Sequence, residues 1–432
     1  MLLIKNAWMI DPGTGLEGKR DIFIRDGKIV SIEDSGRWED REETTEAEVE
    51  QYDAEGLVAA PGLIDVHVHF REPGFTYKED IISGSRAAAR GGFTTVVLMA
   101  NTKPVVDNPE TLAFVLERGK ETDIRVKSCC AITKGLQGKE LTDMSALLAA
   151  GAAGFTDDGI PLLEESVALQ AMEEAARLGA VLSFHEEDPA YITNNGIHAG
   201  RASAYFGIGG SEREAEISMV ERDIRLAERT GAVVNIQHIS TKEAVALLRD
   251  AKKRGVRIHG EATPHHFTLT QEAVITWGTL GKMNPPLREE ADRLAIIEGL
   301  QDDTIDLIAT DHAPHSAEEK ARSITAAPSG IIGLETALSL GISSLVRPGY
   351  LTLKELIRKM TWNPARLYGL EGGCLKEGGW ADLVLFDPEE SYTVDGFASK
   401  SCNSPFRGAR LTGKVKCTVC DGKIVYRDSR KD

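Results

Sequence analysis

The sequence predicts an α/β fold: a (β/α)8, TIM-like barrel joined to a small discontinuous β-sandwich domain built from both termini. Between about residues 60 and 315, eight short β-rich runs alternate with stretches of 3.6-residue apolar spacing, the pattern of strand–helix units closing into a parallel barrel. Glycines stand just before several of these runs, at Gly179, Gly231 and Gly255, where helices are expected to stop. The unusual polar residues collect at the C-terminal ends of the runs, the end at which barrels build their sites.

The first run, 62–70, is entered through Pro61-Gly62 and carries His67 and His69. On a strand, positions i and i+2 share a face, so the two imidazoles converge while Val66 and Val68 are expected to point away. Paired imidazoles at the end of a buried strand are poor packing and good metal chemistry. The second and third runs are 93–101 and 124–133; the second ends in Asn101. The fourth, 151–158, ends in Asp157-Asp158-Gly159, and strand alternation lets only one of the two acids face the barrel axis. The fifth, 180–187, ends in His185-Glu186-Glu187, and the sixth, 232–240, carries His238. The seventh is 256–263; the eighth, 304–312, leads into Asp311-His312-Ala313-Pro314-His315. Glu164–Leu178 and Thr241–Arg254 are representative helices between runs.

The flanks differ. Residues 1–55 and 365–432 hold short strand patterns and turns such as Asp11-Pro12-Gly13, Asp26-Gly27 and Asp421-Gly422, and are expected to form one composite β-domain, with 56–364 as the barrel. The acidic stretch Glu39–Glu50 reads as a solvated loop.

With 432 residues, 42% hydrophobic and 27% charged, the chain is ordinary globular material. A net charge of −17 argues against nucleic acid or an anionic membrane as the main partner, but not against a small anion bound in a cleft. The N-terminus shows no signal-peptide pattern and no run reaches the length of a membrane span, so the cytoplasm is the expected compartment. Six cysteines are too sparse for a disulfide framework, and the lone Cys417-Thr418-Val419-Cys420 has no second pair to complete a metal site.

Each polar residue alone has a mundane alternative: Asp158 as a helix cap, His185 and His238 as core histidines, Asp311 bonding a loop amide. Four imidazoles and two carboxylates at one end of one barrel instead fit one or two divalent ions.

The same residues carry a resemblance. H-x-H on the first strand, single histidines ending strands five and six, and Asp ending strand eight resemble the amidohydrolase superfamily. His67-Val68-His69-Phe70-Arg71-Glu72-Pro73-Gly74, Asn101-Thr102-Lys103-Pro104, Phe155-Thr156-Asp157-Asp158-Gly159, Asn284-Pro285-Pro286-Leu287-Arg288 and Gly330-Ile331-Ile332-Gly333 are similar to the bacterial dihydroorotase family of the long, barrel-plus-β-domain type. The resemblance implies a hydrolase that interconverts N-carbamoyl-L-aspartate and dihydroorotate in pyrimidine biosynthesis. It implies zinc, one or two ions with two favoured: His67, His69 and Asp311 on one, His185 and His238 on the other, Asp158 bridging. Asp158 is preferred to Asp157 because its 27-residue interval to His185 matches the family, and no lysine on the fourth strand offers the alternative bridge. Asp311 would be the catalytic proton carrier. Arg71, in reach of His69 on an extended chain, would clamp the substrate carboxylate with Asn101 and His315, and His69, Asn284, Ser329 and Gly330 would contact the rest of the substrate.

The family's Pro and Phe are replaced here by Ala100 and Ser329, the second in the segment His315–Ser329, which is expected to be a mobile lid. Partner expectations are a homodimer and association with aspartate transcarbamoylase. Two other readings remain: a sister hydrolase of hydantoins or allantoin, and an inactive dihydroorotase-like scaffold for that transcarbamoylase.

Overall fold

A computed structural model describes residues 1–36 and 49–428. The acidic stretch expected as a solvated loop lies outside these residues except for its end, where Glu50 opens a strand.

The N-terminal strands are β1 (Leu2–Ile10), β2 (Glu17–Arg25), β3 (Lys28–Asp34), β4 (Glu50–Asp53) and β5 (Val58–Pro61). The barrel follows with β6 (Leu63–Val68), β7 (Phe93–Leu98), β8 (Arg125–Ser128), β9 (Val181–Phe184), β10 (Val233–Ile236), β11 (Ile258–Ala262) and β12 (Leu307–Ile308). The chain ends with β13 (Leu383–Thr393), β14 (Arg410–Cys420) and β15 (Lys423–Arg427).

All ladders among β6–β12 are parallel. The fourth barrel strand is too short for a ladder of its own, but Phe155 bridges Cys130 on one side and Leu182 on the other. Val68 pairs with His312 and closes the ring. Helices Ile81–Arg90, Pro109–Gly119, Met144–Ala149, Glu165–Leu178, Glu214–Thr230, Lys242–Lys253, Glu290–Gln301 and Leu353–Met360 intervene or follow. Gly179 and Gly231 cap their helices in the left-handed conformation that glycine adopts at no steric cost.

Inside the ring, Ile64, Val66, Val97, Met99, Cys129, Val181, Leu307 and Ala309 pack with Ala365 and Tyr368 of the C-terminal segment. Val66 departs from simple alternation: it joins this interior cluster, whereas Val68 joins the core under the helices. The β6–β7 register is irregular between Asp65 and Val68, and that irregularity re-aims the strand just where the histidines begin.

The expected β-sandwich is one continuous sheet in the order β15-β14-β13-β5-β1-β2-β3, with β4 on β1, folded around its own core of Leu2, Ile4, Met9, Ile22, Ile24, Leu383, Leu385 and Val419. The expected boundary at 56 falls too early: Val58–Pro61 pairs with both β1 and β13 and is part of the sheet. The boundary at 365 cuts the helix Trp362–Leu367. The run expected at 62–70 begins just after β5, and the apolar residues of Val58–Pro61 carry no local mark of which sheet they join. Among the described residues no helix is long and apolar enough to cross a membrane.

Asp11 joins the two ends of the chain. Fully buried, it accepts from Gly13 N (2.8 Å), Thr14 Oγ1 (2.8 Å) and Leu375 N (2.7 Å). Its removal strands the buried Leu375 N–H, so Asp11→Ala is expected to cost about 1–3 kcal/mol in denaturant unfolding while leaving bound metal per chain unchanged.

Candidate metal centre

At the C-terminal mouth the structure brings His67, His69, Asp158, His185, His238 and Asp311 together, all buried. Ligand atoms of His67–His69–Asp158, of His67–His238–Asp311 and of Asp158–His185–His238 lie within 4.8 Å of one another in each group. The separations suit a shared cation. His69 Nε2 is 3.0 Å from Asp311 Oδ1 and 3.3 Å from Asp158 Oδ2. His67 Nε2 is 3.3 Å from Asp158 Oδ1 and 3.5 Å from Asp311 Oδ1. Asp158 Oδ1 is also 3.7 Å from His185 Nδ1 and 3.9 Å from His238 Nε2. Donors bound at about 2.0–2.1 Å in tetrahedral geometry stand about 3.3–3.4 Å apart.

The outer face of each imidazole shows which nitrogen is left for a metal. His69 Nδ1 donates to Asn101 Oδ1 (3.0 Å), and Asn101 Nδ2 donates to the Asp158 backbone and carboxylate oxygens, 3.2 Å each. His185 Nε2 faces Glu187 Oε2 at 3.1 Å, so its Nδ1 lone pair points at His238 Nε2, only 2.9 Å away. Two imidazole lone pairs this close repel unless a proton or a cation lies between them. His67 Nε2 is buried without a hydrogen-bond partner. These are donors of a type and number that fit a divalent ion.

Alternation resolves the acid pair. Asp157 turns outward, accepting from Ile132 N (2.7 Å), Thr133 N (3.1 Å) and the Thr133 hydroxyl, which leaves Asp158 for the centre. His238 (φ 32°), Asp311 (φ 46°) and Arg71 (φ 60°) all hold left-handed backbone, a strain of about 1–3 kcal/mol each that the surrounding structure must sustain. Arg71 thus reaches the mouth from a turn and not, as expected, along an extended continuation of the strand. Its Nε donates to Pro314 O (3.3 Å). His315 lies beside the same loop, and Lys78 Nζ donates to its Nδ1 (3.2 Å). Burial and the cations Arg71, Lys78 and Lys320 push the His315 pKa far down, so the ring is neutral with Nε2–H as its remaining donor.

Asn284 Nδ2 reaches His185 Nε2 at 3.4 Å. A Cβ on Gly330 would meet Ala313 O at 2.6 Å and His315 Cδ2 at 2.7 Å, so that position needs glycine. The Ser329 hydroxyl is engaged by Asn195 Oδ1 (2.9 Å) on the loop after the fifth strand and makes no contact with the donor cluster. The segment expected as a mobile lid is laced in place: Lys282 Nζ donates to Ile324 O (2.9 Å) and Ala327 O (2.8 Å), and Lys320 Nζ to Pro328 O (2.9 Å) and Gly330 O (3.1 Å). Ala100 is buried. His312 Nδ1 accepts from Gly333 N (3.2 Å) and its Nε2 faces Glu79, so it orients the loop.

Sequence reasoning passed over Glu187, Lys78 and Glu261. The first is the partner of His185 and the second of His315; the third, 2.5 Å from His67 Nδ1, is a buried acid inside the seventh run, and that alone was the available signal. An open space of about 1660 Å³ is at the other end of the barrel around Arg125, Arg257, Trp362 and Tyr368, and none of the six donors borders it. Chemistry marks the site here, and cavity size does not.

Burial works to raise Asp158, but the imidazoles of His67, His69 and His185 outweigh it and hold the carboxyl well below its usual range. Burial lowers His67, yet Glu261, Asp311 and Asp158 together raise it well above an ordinary histidine. His185 is raised against burial by Glu187 and Asp158, whereas burial and its two histidine neighbours keep His238 well below. In the metal-free protein, His67 and His185 therefore retain protons to higher pH than free histidine, and a cation must displace them. Divalent-metal affinity is expected to rise with pH through neutrality, with proton release on binding that shrinks as pH rises; calorimetry in buffers of different ionisation enthalpy measures both.

Comparisons with known proteins agree with this geometry. A family profile described as "Dihydro-orotase-like" matches residues 56–244, and one described as "Amidohydrolase family" matches 332–426. The chain is 53% identical over 426 residues to the dihydroorotase of Clostridioides difficile, covering 99% of this chain and 100% of that one. It is 52% identical to that of Clostridium acetobutylicum over 431 residues, and 50% identical to that of Streptococcus pneumoniae over 429, each covering 99% of this chain and 100% of the relative. In fold it is similar to an L-hydantoinase from Arthrobacter aurescens (TM-score 0.87, 24% identity, 99% of this chain and 96% of that one). A D-hydantoinase from Thermus sp. is similar as well (TM-score 0.85, 25% identity, 100% and 96%). With relatives at about half identity along the whole chain, this protein belongs to the dihydroorotase family of the amidohydrolase superfamily.

Proposed function

We propose that this chain catalyses the reversible cyclisation of N-carbamoyl-L-aspartate to L-dihydroorotate plus water, the ring-closing step of de novo pyrimidine synthesis. The observation that carries the reading is the six-donor cluster with the Arg71–His315 pair beside it, in a chain half identical to dihydroorotases. We assign the metal as zinc at two subsites, with His67, His69 and Asp311 at one, His185 and His238 at the other, and Asp158 between them. A divalent cation there supplies Lewis acidity, polarising the amide carbonyl and lowering the pKa of water.

The chain's own groups do the rest. In the hydrolytic direction Asp311 accepts the proton of the attacking water and returns it to the departing ring nitrogen. In cyclisation it removes the proton from the carbamoyl nitrogen and gives one to the leaving water. Arg71, its two Nη groups free of protein partners among the described residues, presents a fork to the substrate carboxylate, and neutral His315 adds its Nε2–H. Asn101 holds His69 and Asp158 while bordering the same anion; Asn284 and the Ser329-Gly330 backbone flank the ring.

The hydantoinase alternative shares the fold, but the sequence relatives at about half identity are dihydroorotases and the fourth strand has Asp158 where a bridging lysine would stand. A dead scaffold would be expected to lack ligands, and all six are in place. On the same footing we place the protein in the cytoplasm as a homodimer, with aspartate transcarbamoylase as its candidate partner.

Metal-loaded protein is expected to consume L-dihydroorotate, followed by loss of its ultraviolet absorbance, and to leave hydantoin and allantoin untouched; turnover of hydantoin instead would sink the substrate assignment. Asp311→Asn is expected to lower turnover by about 10²–10⁴-fold. Arg71→Lys keeps the charge but loses the fork, so KM should rise by about 10–100-fold with kcat changing far less, the size of one charge-assisted hydrogen bond.

A further inference from the structure

Glu261, in the middle of β11, is fully buried and has no lysine or arginine partner among the described residues. Its Oε1 is 2.5 Å from His67 Nδ1 and accepts the backbone N–H of His238 at 3.2 Å. Its Oε2 accepts from Asn235 Nδ2 at 3.1 Å, and the same amide nitrogen donates to Ser183 Oγ at 2.9 Å. Ser183, Asn235 and Glu261 thus form a polar strip across three strands of a barrel interior otherwise packed with Ile64, Val66, Val97 and Leu307.

One carboxylate oxygen therefore touches two candidate ligands from different subsites. An imidazole that donates from Nδ1 presents its lone pair at Nε2, and Nε2 of His67 is the atom that faces Asp158 and Asp311 with no hydrogen-bond partner. At His238 the same oxygen holds the backbone amide of a residue in left-handed conformation, whose ring must reach Asp158.

We propose that Glu261 is a positioning residue for the metal centre, fixing the tautomer of His67 and the backbone of His238 together. This rests on the metal-centre reading above. Asn235 and Ser183 set the direction of the carboxylate. The amide introduced by Glu261→Gln keeps an oxygen toward His67 Nδ1 and the His238 N–H once the Asn235 amide turns over, so that Asn235 Oδ1 accepts from the new NH2 and from the Ser183 hydroxyl. Glu261→Leu offers no acceptor there and leaves the His67 proton free to move to Nε2, the atom the metal needs.

The test uses the full chain and zinc itself, in competition with a chromogenic chelator, alongside the absorption spectrum of the cobalt-loaded protein. Glu261→Leu is expected to weaken zinc binding by about 10–100-fold and to change the cobalt spectrum, whereas Glu261→Gln should keep both close to the parent. Parental affinity in Glu261→Leu overturns the proposal, and so does an equal loss in a folded Glu261→Gln. Nitrogen-15 spectra of the zinc-loaded parent read the tautomer without any substitution: Nδ1 of His67 should be protonated, and a proton on Nε2 overturns the proposal even if the variants fail to fold. A parent that binds no zinc would bring down the metal-centre reading, a failure distinguishable from that of Glu261 alone.

Discussion

Two carboxylates and four imidazoles share one small volume at the barrel mouth, nearly out of reach of water, and the rest of the structure is arranged to hold them there. Buried ionisable groups are costly unless paired, and neighbouring imidazole lone pairs repel. The restraint comes from where the ring closes. Asp65 accepts the backbone N–H groups of His67 (3.1 Å) and Thr310 (3.2 Å), and His69 N donates to His312 O (2.9 Å). Strand one and strand eight are thereby buckled together, and the H-x-H pair is brought against Asp311. Burial raises the Asp65 pKa to about 7, a sign of how little solvent reaches the buckle. Left-handed backbone at His238, Asp311 and Arg71 is tolerated because this frame over-determines it.

Around the donors, three of the four rings are oriented by a group of ordinary chemistry: Asn101 for His69, Glu187 for His185, Glu261 for His67. The neighbourhood of Arg71 is built differently. Lys78 occupies one nitrogen of His315, and burial with the surrounding cations keeps the ring neutral. The loop that carries Ser329 and Gly330 is stitched through its carbonyls by Lys282 and Lys320, and burial beside Lys282 brings Lys320 down to about 7. A loop tied to the scaffold by buried lysines is a preorganised wall of the site.

Much of this was legible in the sequence because it rests on short-range rules. The β-rich runs, the 3.6-residue apolar spacing and the glycine stops located the strand–helix units, and the helix expected at 241–254 appears as Lys242–Lys253 capped by Thr241. The cluster of six donors was legible because six unusual residues fell at the ends of runs. What escaped depends on three-dimensional context. The bulge that turns Val66 inward and the left-handed turn at Arg71 break the strand alternation used to place them. Strand β5 lay beyond the expected boundary at 56 because its apolar residues lead straight into the first barrel run at 62–70. Polarity and alanine content suggested mobility for 315–329, but the lysines that tie the segment down are set by tertiary contacts that no local pattern reveals. Glu261 stood in plain view as an acid inside a strand, and only the fold shows that His67 is on its other side.

The most direct test of the whole account is anomalous scattering at the zinc edge from crystals grown with zinc and L-dihydroorotate. The account predicts peaks bounded by His67, His69 and Asp311 and by His185 and His238, with Asp158 between them and the ligand carboxylate against Arg71 and His315. Zinc bound elsewhere with these six side chains unligated, or a ligand carboxylate away from Arg71, would contradict it.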